Sequence, residues 1–221
     1  MEIDRSKIYA VISGDIIGSS KLPMSERAEL IDIMKQASNE LRTFLAQSVP
    51  LSVDIYAGDS WQLLVSEPGD ALSAAVFYRA SIIAATEKKI DTRLAVALGK
   101  VDFVPGERAS EGDGEAFRLS GRILKETSNK QQMRFIADLP DSGQLWDATF
   151  GLMDALMRNW SARQAWAVLG ALQGWSQGEI AAQGSPPVER QTVGDFLNLA
   201  NWHAIERTIV TFKNTFTTSF G

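Results

Sequence analysis

The chain has 221 residues, enough for one large domain or two small ones, and its composition is that of an ordinary globular protein, 45% hydrophobic and 22% charged. The net charge of −5 gives no global field that favours nucleic acid or an anionic membrane. The absence of cysteine excludes disulfides and thiolate metal sites. Because there is no signal peptide and no apolar run long enough to span a membrane, we expect a cytoplasmic protein.

The first part of the chain alternates strand and helix patterns. In chain order these predict a strand at 7–13, a helix opening at 23–25, a hairpin of strands at 51–57 and 61–66, a second helix capped by Asp70, a strand at 92–99, a helix at 117–127 and a strand at 133–137. The β-α-β-β-α-β order predicts an α+β domain of the ferredoxin-like kind, with a mixed sheet and its helices on one face.

The sequence pattern changes after "DLPDSG" at 138–143. Beyond it, helical patterns dominate, and five of the six tryptophans occur there. We therefore predict two domains, 1–143 and 144–221, with the boundary near 140–145. The second domain is predicted to be all-helical, with a helix at 145–158, a helix capped by Ser161, a short helix ending at Gly184, and one or two more after Pro187.

Two carboxylates follow Gly in similar settings: Asp15 at the exit of the first strand and Asp59 in the turn of the hairpin. If these strands are neighbours, both carboxylates lie at one edge of the sheet. They would repel each other unless a cation bridged them, and Mg²⁺ takes oxygen ligands and bridges to phosphates. The backbone N–H groups of the loop after Asp15 could then cradle the phosphates; this loop contains Ile16, Ile17, Gly18 and Ser19.

Three short segments carry a family resemblance: "GDIIGSS" at 14–20, "GDSWQ" at 58–62 and "DGEAF" at 113–117. In this order they resemble motifs of the SatD-like family and, more distantly, of the class III nucleotidyl cyclase catalytic domain. The resemblance covers about residues 7–137. It implies a cyclase-like fold for the first domain, a nucleotide or other phosphorylated ligand bound with Mg²⁺, and a homodimer.

The resemblance also assigns residues. The metal-binding carboxylates fall on Asp15 and Asp59, the arginine that steadies the triphosphate falls on Arg122, and Asp113 falls in the nucleotide site. Arg118 stands where the cyclases have a catalytic asparagine, and the base-selecting lysine is missing. A guanidinium cannot replace an amide, because it donates hydrogen bonds but accepts none. This difference opposes cyclase turnover more than it opposes ligand binding. From the residues alone, turn-forming aspartates and solvated helical arginines remain alternatives.

The helical part resembles a bacterial helix-turn-helix module, with "WSQGEIA" as its first helix and "QTVGDFLNLANW" as the recognition helix. The candidate contacts with DNA are Arg190, Gln191, Thr192, Asn198 and Asn201. Two features oppose this reading. The turn between the helices is long, and residues 146–221 have a net charge of −1, which is unfavourable for binding phosphates.

Three functions therefore stay open. The first is a ligand-responsive DNA-binding transcriptional regulator with a degenerate cyclase-like sensor domain. The second is a metal-dependent enzyme that acts on a nucleoside triphosphate, with Arg118 and Arg122 as catalytic residues. The third is a protein-interaction module that carries a relic site.

Overall fold

The computed structural model describes residues 2–86, 90–128, 130–139 and 142–218. Within these ranges the strands are β1 (Tyr9–Ile16), β2 (Asp54–Tyr56), β3 (Ser60–Val65), β4 (Thr92–Gly99), β5 (Val101–Phe103), β6 (Asp113–Gly114) and β7 (Met133–Ile136). The helices are α1 (Met24–Phe44), α2 (Ala71–Ala85), α3 (Glu115–Glu126), α4 (Ser142–Met157), α5 (Ala162–Leu172), α6 (Gln177–Ala182), α7 (Arg190–Leu199) and α8 (Trp202–Thr218). The α+β class is thus confirmed.

Five of the strands form one mixed sheet in the order β2-β3-β1-β4-β7. β1 pairs antiparallel with both β3 and β4, whereas β4 and β7 are parallel. The central strand β1 is buried along almost its whole length, as its apolar sequence predicts. β5 and β6 form a separate two-stranded ribbon.

Helices cover both faces of the sheet, so the prediction that they lie on one face is wrong. Side chains alternate along β1: Ala10 and Ile12 belong to a core with α1 and α2, while Val11 belongs to a second core with Phe117 of α3. The buried residues of α3 recur at helical spacing, so α3 presents one apolar stripe to the face opposite α1 and α2.

The C-terminal helices pack against the sheet domain. The ring of Phe135 on β7 lies 5.1 Å from that of Phe150 on α4 and 5.6 Å from that of Phe212 on α8, and α5 packs on α2. One hydrophobic cluster therefore contains residues from both predicted domains. The division at residue 143 stays a prediction, and residues 140 and 141 of the boundary lie outside the described residues.

A buried cation joins three of these elements. The Arg79 side chain on α2 is fully buried and donates two hydrogen bonds to Asp91, of 2.8 and 2.7 Å, and one of 2.8 Å to Asp154 on α4. It also donates to the side chain of Gln132. Burial opposes its charge, but the hydrogen bonds and charges of Asp91 and Asp154 outweigh burial and raise the pKa of Arg79. The guanidinium is therefore a fixed link between α2, α4 and the start of β4.

Two predicted helix caps have different outcomes. Ser161 caps α5 as predicted, with Gln164 completing a capping box. Asp70 precedes α2 but makes no side-chain cap, so that prediction is wrong. Its carboxylate instead accepts a hydrogen bond from the Ser48 hydroxyl. It also forms an ion pair of 2.7 Å with the Lys213 ammonium. A charged partner on α8 wins over a neutral backbone N–H because charge-assisted hydrogen bonds are the stronger ones.

We predict that Asp154→Ala lowers the free energy of unfolding by about 3–5 kcal/mol, because it leaves the Arg79 charge buried with one partner fewer. Urea denaturation measures this. The matched control is Asp32→Ala, which removes an exposed pair with Lys35 and should cost about 0.5 kcal/mol or less. Equal effects of the two changes would contradict a structural role for the buried cation.

Candidate functional site

Asp15 and Asp59 lie at one edge of the sheet. The register places Asp15 opposite Ser60, the residue that follows Asp59. The hairpin turn at 57–59 has two residues with left-handed backbone, Ala57 (φ 50°) and Gly58 (φ 91°). A left-handed backbone is unfavourable for alanine, so the paired strands on either side must hold Ala57 in this turn.

An arginine that the motifs do not mark lies beside Asp15, on the side away from the hairpin that carries Asp59. Arg93 is the cross-strand partner of Asp15 on β4 and binds it with both arms, Nε to Oδ1 at 2.5 Å and an Nη to Oδ2 at 2.7 Å. The hydrogen bonds with Asp15, and the charges of Asp15 and Asp59, raise the pKa of Arg93 against the effect of burial. Asp15 is therefore already paired with a cation.

The loop after β1 is fixed by its neighbours. The Ile17 N–H donates to the Asp91 carbonyl at 2.9 Å, so this N–H is already used within the fold and is not free to bind a phosphate. Ile16 is buried and still part of β1. The Ser19 hydroxyl donates to Asp59. Gly18 and Ser19 remain as loop positions whose N–H groups donate to no residue in the described part of the chain.

A cleft of about 240 Å³ adjoins this loop and the hairpin turn. Its lining residues are Ser19, Ser20, Arg27, Leu30, Ile31, Ala57, Gly58 and Asp59. The cleft thus joins an apolar wall from α1 to polar groups from both motif loops, which suits a small ligand with one apolar and one charged part.

A buried tryptophan supports the edge from below. A Cβ on Gly14 would lie 2.3 Å from the Trp61 ring, so only glycine fits before Asp15. The Trp61 indole donates to the Thr92 hydroxyl, which in turn donates to the Asp15 carbonyl. Trp61 is thus fully buried in the sheet, and its ring explains the glycine of the first motif.

A polar row continues across the same face of the sheet. Tyr56 faces Ser60 on β3, and burial together with the charges of Asp54 and Asp15 raises the pKa of its hydroxyl. Asp54 accepts hydrogen bonds from the backbone and hydroxyl of Ser110. The loop that carries Ser110 therefore closes over β2, one strand beyond the hairpin.

The predicted catalytic residues lie on the outer side of α3. Arg118 pairs with Asp113 at 2.7 Å and with Asp102 at 3.7 Å, and Asp113 also accepts from the Gly114 N–H. Arg122, one turn further, is exposed and forms no hydrogen bond or ion pair with any residue that the structure describes. None of these three residues contacts Asp15 or Asp59 within the described chain.

The candidate DNA contacts lie on and just after α7. Four of the five are exposed and Thr192 is half-buried; the exposed ones are Arg190, Gln191, Asn198 and Asn201. Asp195, also exposed, lies on the same helix, four residues after Gln191 and three before Asn198. This carboxylate adds negative charge where the helix-turn-helix reading requires phosphate contacts.

Sequence reasoning missed Arg93, and the missing information was register. Arg93 is the second residue of β4, and the antiparallel pairing of β1 with β4 places it opposite Asp15. Opposite charges on facing strands are a common stabilising pair. The pair of Arg93 with Asp15 can be recognised only once the strand order is known.

Asp15 and Asp59 offer the carboxylate oxygens that Mg²⁺ prefers. No group of three or more acidic, histidine or cysteine side chains among the described residues could hold a metal. The described residues therefore offer two carboxylates at this edge, and any further ligands of an ion there would have to come from outside this group.

No protein-family model matches the sequence, and no curated protein matches it. Among solved structures, the chain is similar to the guanylyl cyclase Cya2, with 18% identity and a TM-score of 0.44 over 62% of this chain and 77% of that one. It is also similar to a bacterial light-regulated adenylyl cyclase, with 16% identity and a TM-score of 0.43 over 59% of this chain and 76% of that one. At such identities the similarity concerns the fold alone.

Within the described residues, no helix combines the length and apolar character needed to cross a membrane.

We predict that Gly14→Ala destabilises the protein by about 1–3 kcal/mol, because its methyl group overlaps the Trp61 ring. Urea denaturation followed by circular dichroism measures the change. Gly121→Ala is the control: a Cβ there meets nothing within 4 Å, and α3 should gain about 0.5–1 kcal/mol. A tolerated Gly14→Ala would contradict the close packing assigned to the first motif.

Proposed function

We propose that the chain is a cyclase-like protein that binds the Mg²⁺ complex of a nucleoside triphosphate, or of a similar phosphorylated molecule, at the Asp15–Asp59 edge. The observation that carries this proposal is that two sequence motifs 44 residues apart meet beside one cleft. Ser19 and Asp59 line the cleft and bind each other directly, and Asp15 lies opposite Ser60, the residue after Asp59. The cyclase resemblance assigns the same two aspartates to metal.

Each residue of the edge has a proposed role. Asp15 and Asp59 would hold the ion, which supplies positive charge between carboxylates and phosphate oxygens. The N–H groups of Gly18 and Ser19 would bind phosphate oxygens. The apolar wall of Leu30 and Ile31 would exclude water from one side of the ligand.

We favour ligand sensing over turnover. Arg118 stands where the cyclases have a catalytic asparagine, and its ion pairs with Asp113 and Asp102 hold it against the β5–β6 ribbon. Positioning supplies much of the rate in phosphoryl transfer, so a displaced group costs turnover before it costs binding.

Turnover of a nucleoside triphosphate is the second candidate, and Arg122 favours it. This guanidinium is exposed and without a partner in the described chain, as a residue awaiting a phosphate would be. Since Arg118 and Arg122 do not contact the Asp15–Asp59 edge, a second copy would have to bring them there. This fits the homodimer that the resemblance implies.

Finer assignments belong to the same proposal. The order β2-β3-β1-β4, with α1 and α2 on one face, supports a ferredoxin-like unit. We propose membership of the SatD-like family from the three motifs, and a cytoplasmic location, with which the absence of cysteine is consistent. The pair α6 and α7, which pack together, supports the helix-turn-helix proposal.

We predict that Mg²⁺ with one of the four ribonucleoside triphosphates raises the unfolding temperature, since a ligand at about 100 times its Kd adds roughly 2.7 kcal/mol of stability. Asp59→Asn should remove this shift, because it deletes one carboxylate whose described contact is only Ser19. Differential scanning fluorimetry with and without Mg²⁺ measures both.

The control is Asp195→Asn, an equal loss of charge on the exposed surface of α7, which should keep the shift. Product analysis by chromatography then separates sensing from turnover. A wild type that no triphosphate stabilises, with or without Mg²⁺, would remove the nucleotide proposal.

For DNA, we predict weak binding that Arg190→Ala reduces and Asp195→Asn increases, because each change alters one charge beside the phosphates. Fluorescence anisotropy of a duplex oligonucleotide at low salt measures it. If both variants bind like the wild type, α7 is not the contact surface.

A further inference from the structure

Arg93 and a divalent cation need the same two oxygens. Its guanidinium occupies Oδ1 and Oδ2 of Asp15 at 2.5 and 2.7 Å, in the two-armed geometry that gives arginine–carboxylate pairs their strength. The Asp15 side chain is 22% exposed and that of Arg93 is 40% exposed, so water reaches the pair and the guanidinium can leave without unfolding the sheet.

The charges at the edge make the competition unavoidable. Asp15 and Asp59 carry two negative charges, and Arg93 cancels one of them. An ion of charge +2 added to this set would leave an excess of positive charge unless Arg93 moved or an anion arrived as well. Asp59 is in part satisfied too, since Ser19 donates to it.

We infer that Arg93 is a built-in competitor of the metal, which keeps the Asp15–Asp59 edge closed to a divalent cation until a polyanionic ligand enters with it. The inference rests on the proposed function, because it assigns an order of binding to that same site. It turns two carboxylates that would otherwise collect free Mg²⁺ into a site that responds to the metal–ligand complex.

The sheet contains a matched pair for comparison. Arg134 on β7 donates from Nε to both oxygens of Asp147, at 2.9 and 3.1 Å, with side-chain exposures of 22% and 26%. Arg134 faces Ala95, two residues after Arg93 on β4. The resemblance assigns no metal-binding carboxylate there, so freeing Asp147 should create no site for a cation.

The test uses Mn²⁺, a paramagnetic ion that carboxylates also bind, titrated into the full chain without nucleotide and followed by the loss of the free-ion electron paramagnetic resonance signal. We expect weak binding to wild type. Arg93→Gln and Arg93→Met should each lower the Kd for Mn²⁺ roughly tenfold or more, the factor equivalent to one charge-assisted hydrogen bond. Asp59→Asn in the Arg93→Gln background should abolish the gain, and Arg134→Gln should match wild type.

The outcomes separate this inference from the proposed function. If Arg93→Gln and Arg93→Met, both folded by circular dichroism, bind Mn²⁺ no better than wild type, Arg93 is not the competitor, even where Mg²⁺ and nucleotide still stabilise wild type. Wild type that already binds Mn²⁺ as tightly as the variants overturns it equally. If the variants gain Mn²⁺ while no nucleotide stabilises wild type, the competition stands and the nucleotide proposal fails.

Discussion

The fold depends on one cation that has no contact with water. A guanidinium buried as deeply as that of Arg79 is tolerated only when carboxylates and hydrogen-bond acceptors surround it. Asp91, Asp154 and the Gln132 side chain do so, and they come from the start of β4, from α4 and from the segment before β7. Any arrangement that separated these segments would leave a buried charge unpaired. The cation therefore specifies how the C-terminal helices sit on the sheet.

The candidate site inherits its geometry from this constraint. Asp91 binds Arg79 with its side chain and holds the Ile17 N–H with its carbonyl, and the next residue, Thr92, binds the Asp15 carbonyl. Trp61 then fills the space that Gly14 leaves open. The start of the loop after β1 is thus anchored to two consecutive residues, Asp91 and Thr92, where β4 begins. Rigid support beneath a half-buried pair of carboxylates favours binding, because the groups are already ordered in the folded protein and lose little entropy when a ligand binds.

The elements that were predicted correctly are those whose signals lie in neighbouring residues. The limits of β4, the hairpin at 57–59 and the Ser161 cap all follow from nearby residues, and all were predicted. Asp70 was assigned to a cap because its position beside α2 is local, whereas its partner Lys213 lies on α8. The placement of α3 was missed for the same reason: an amphipathic stripe says that a helix is buried on one side, but not which face of the sheet it covers.

The sequence by itself determined the α+β class, the order of strands and helices, and the two Gly-Asp motifs, because these depend on residues close along the chain. Only the tertiary structure decided that Asp15 is bound by Arg93, that Arg79 links α2 to α4, and that neither Arg118 nor Arg122 contacts Asp15 or Asp59 among the described residues. Such contacts join residues 75 to 78 positions apart in the two ion pairs. They depend on strand register and on which face of the sheet each helix covers. Neither can be inferred from the residue pattern of a short stretch of sequence.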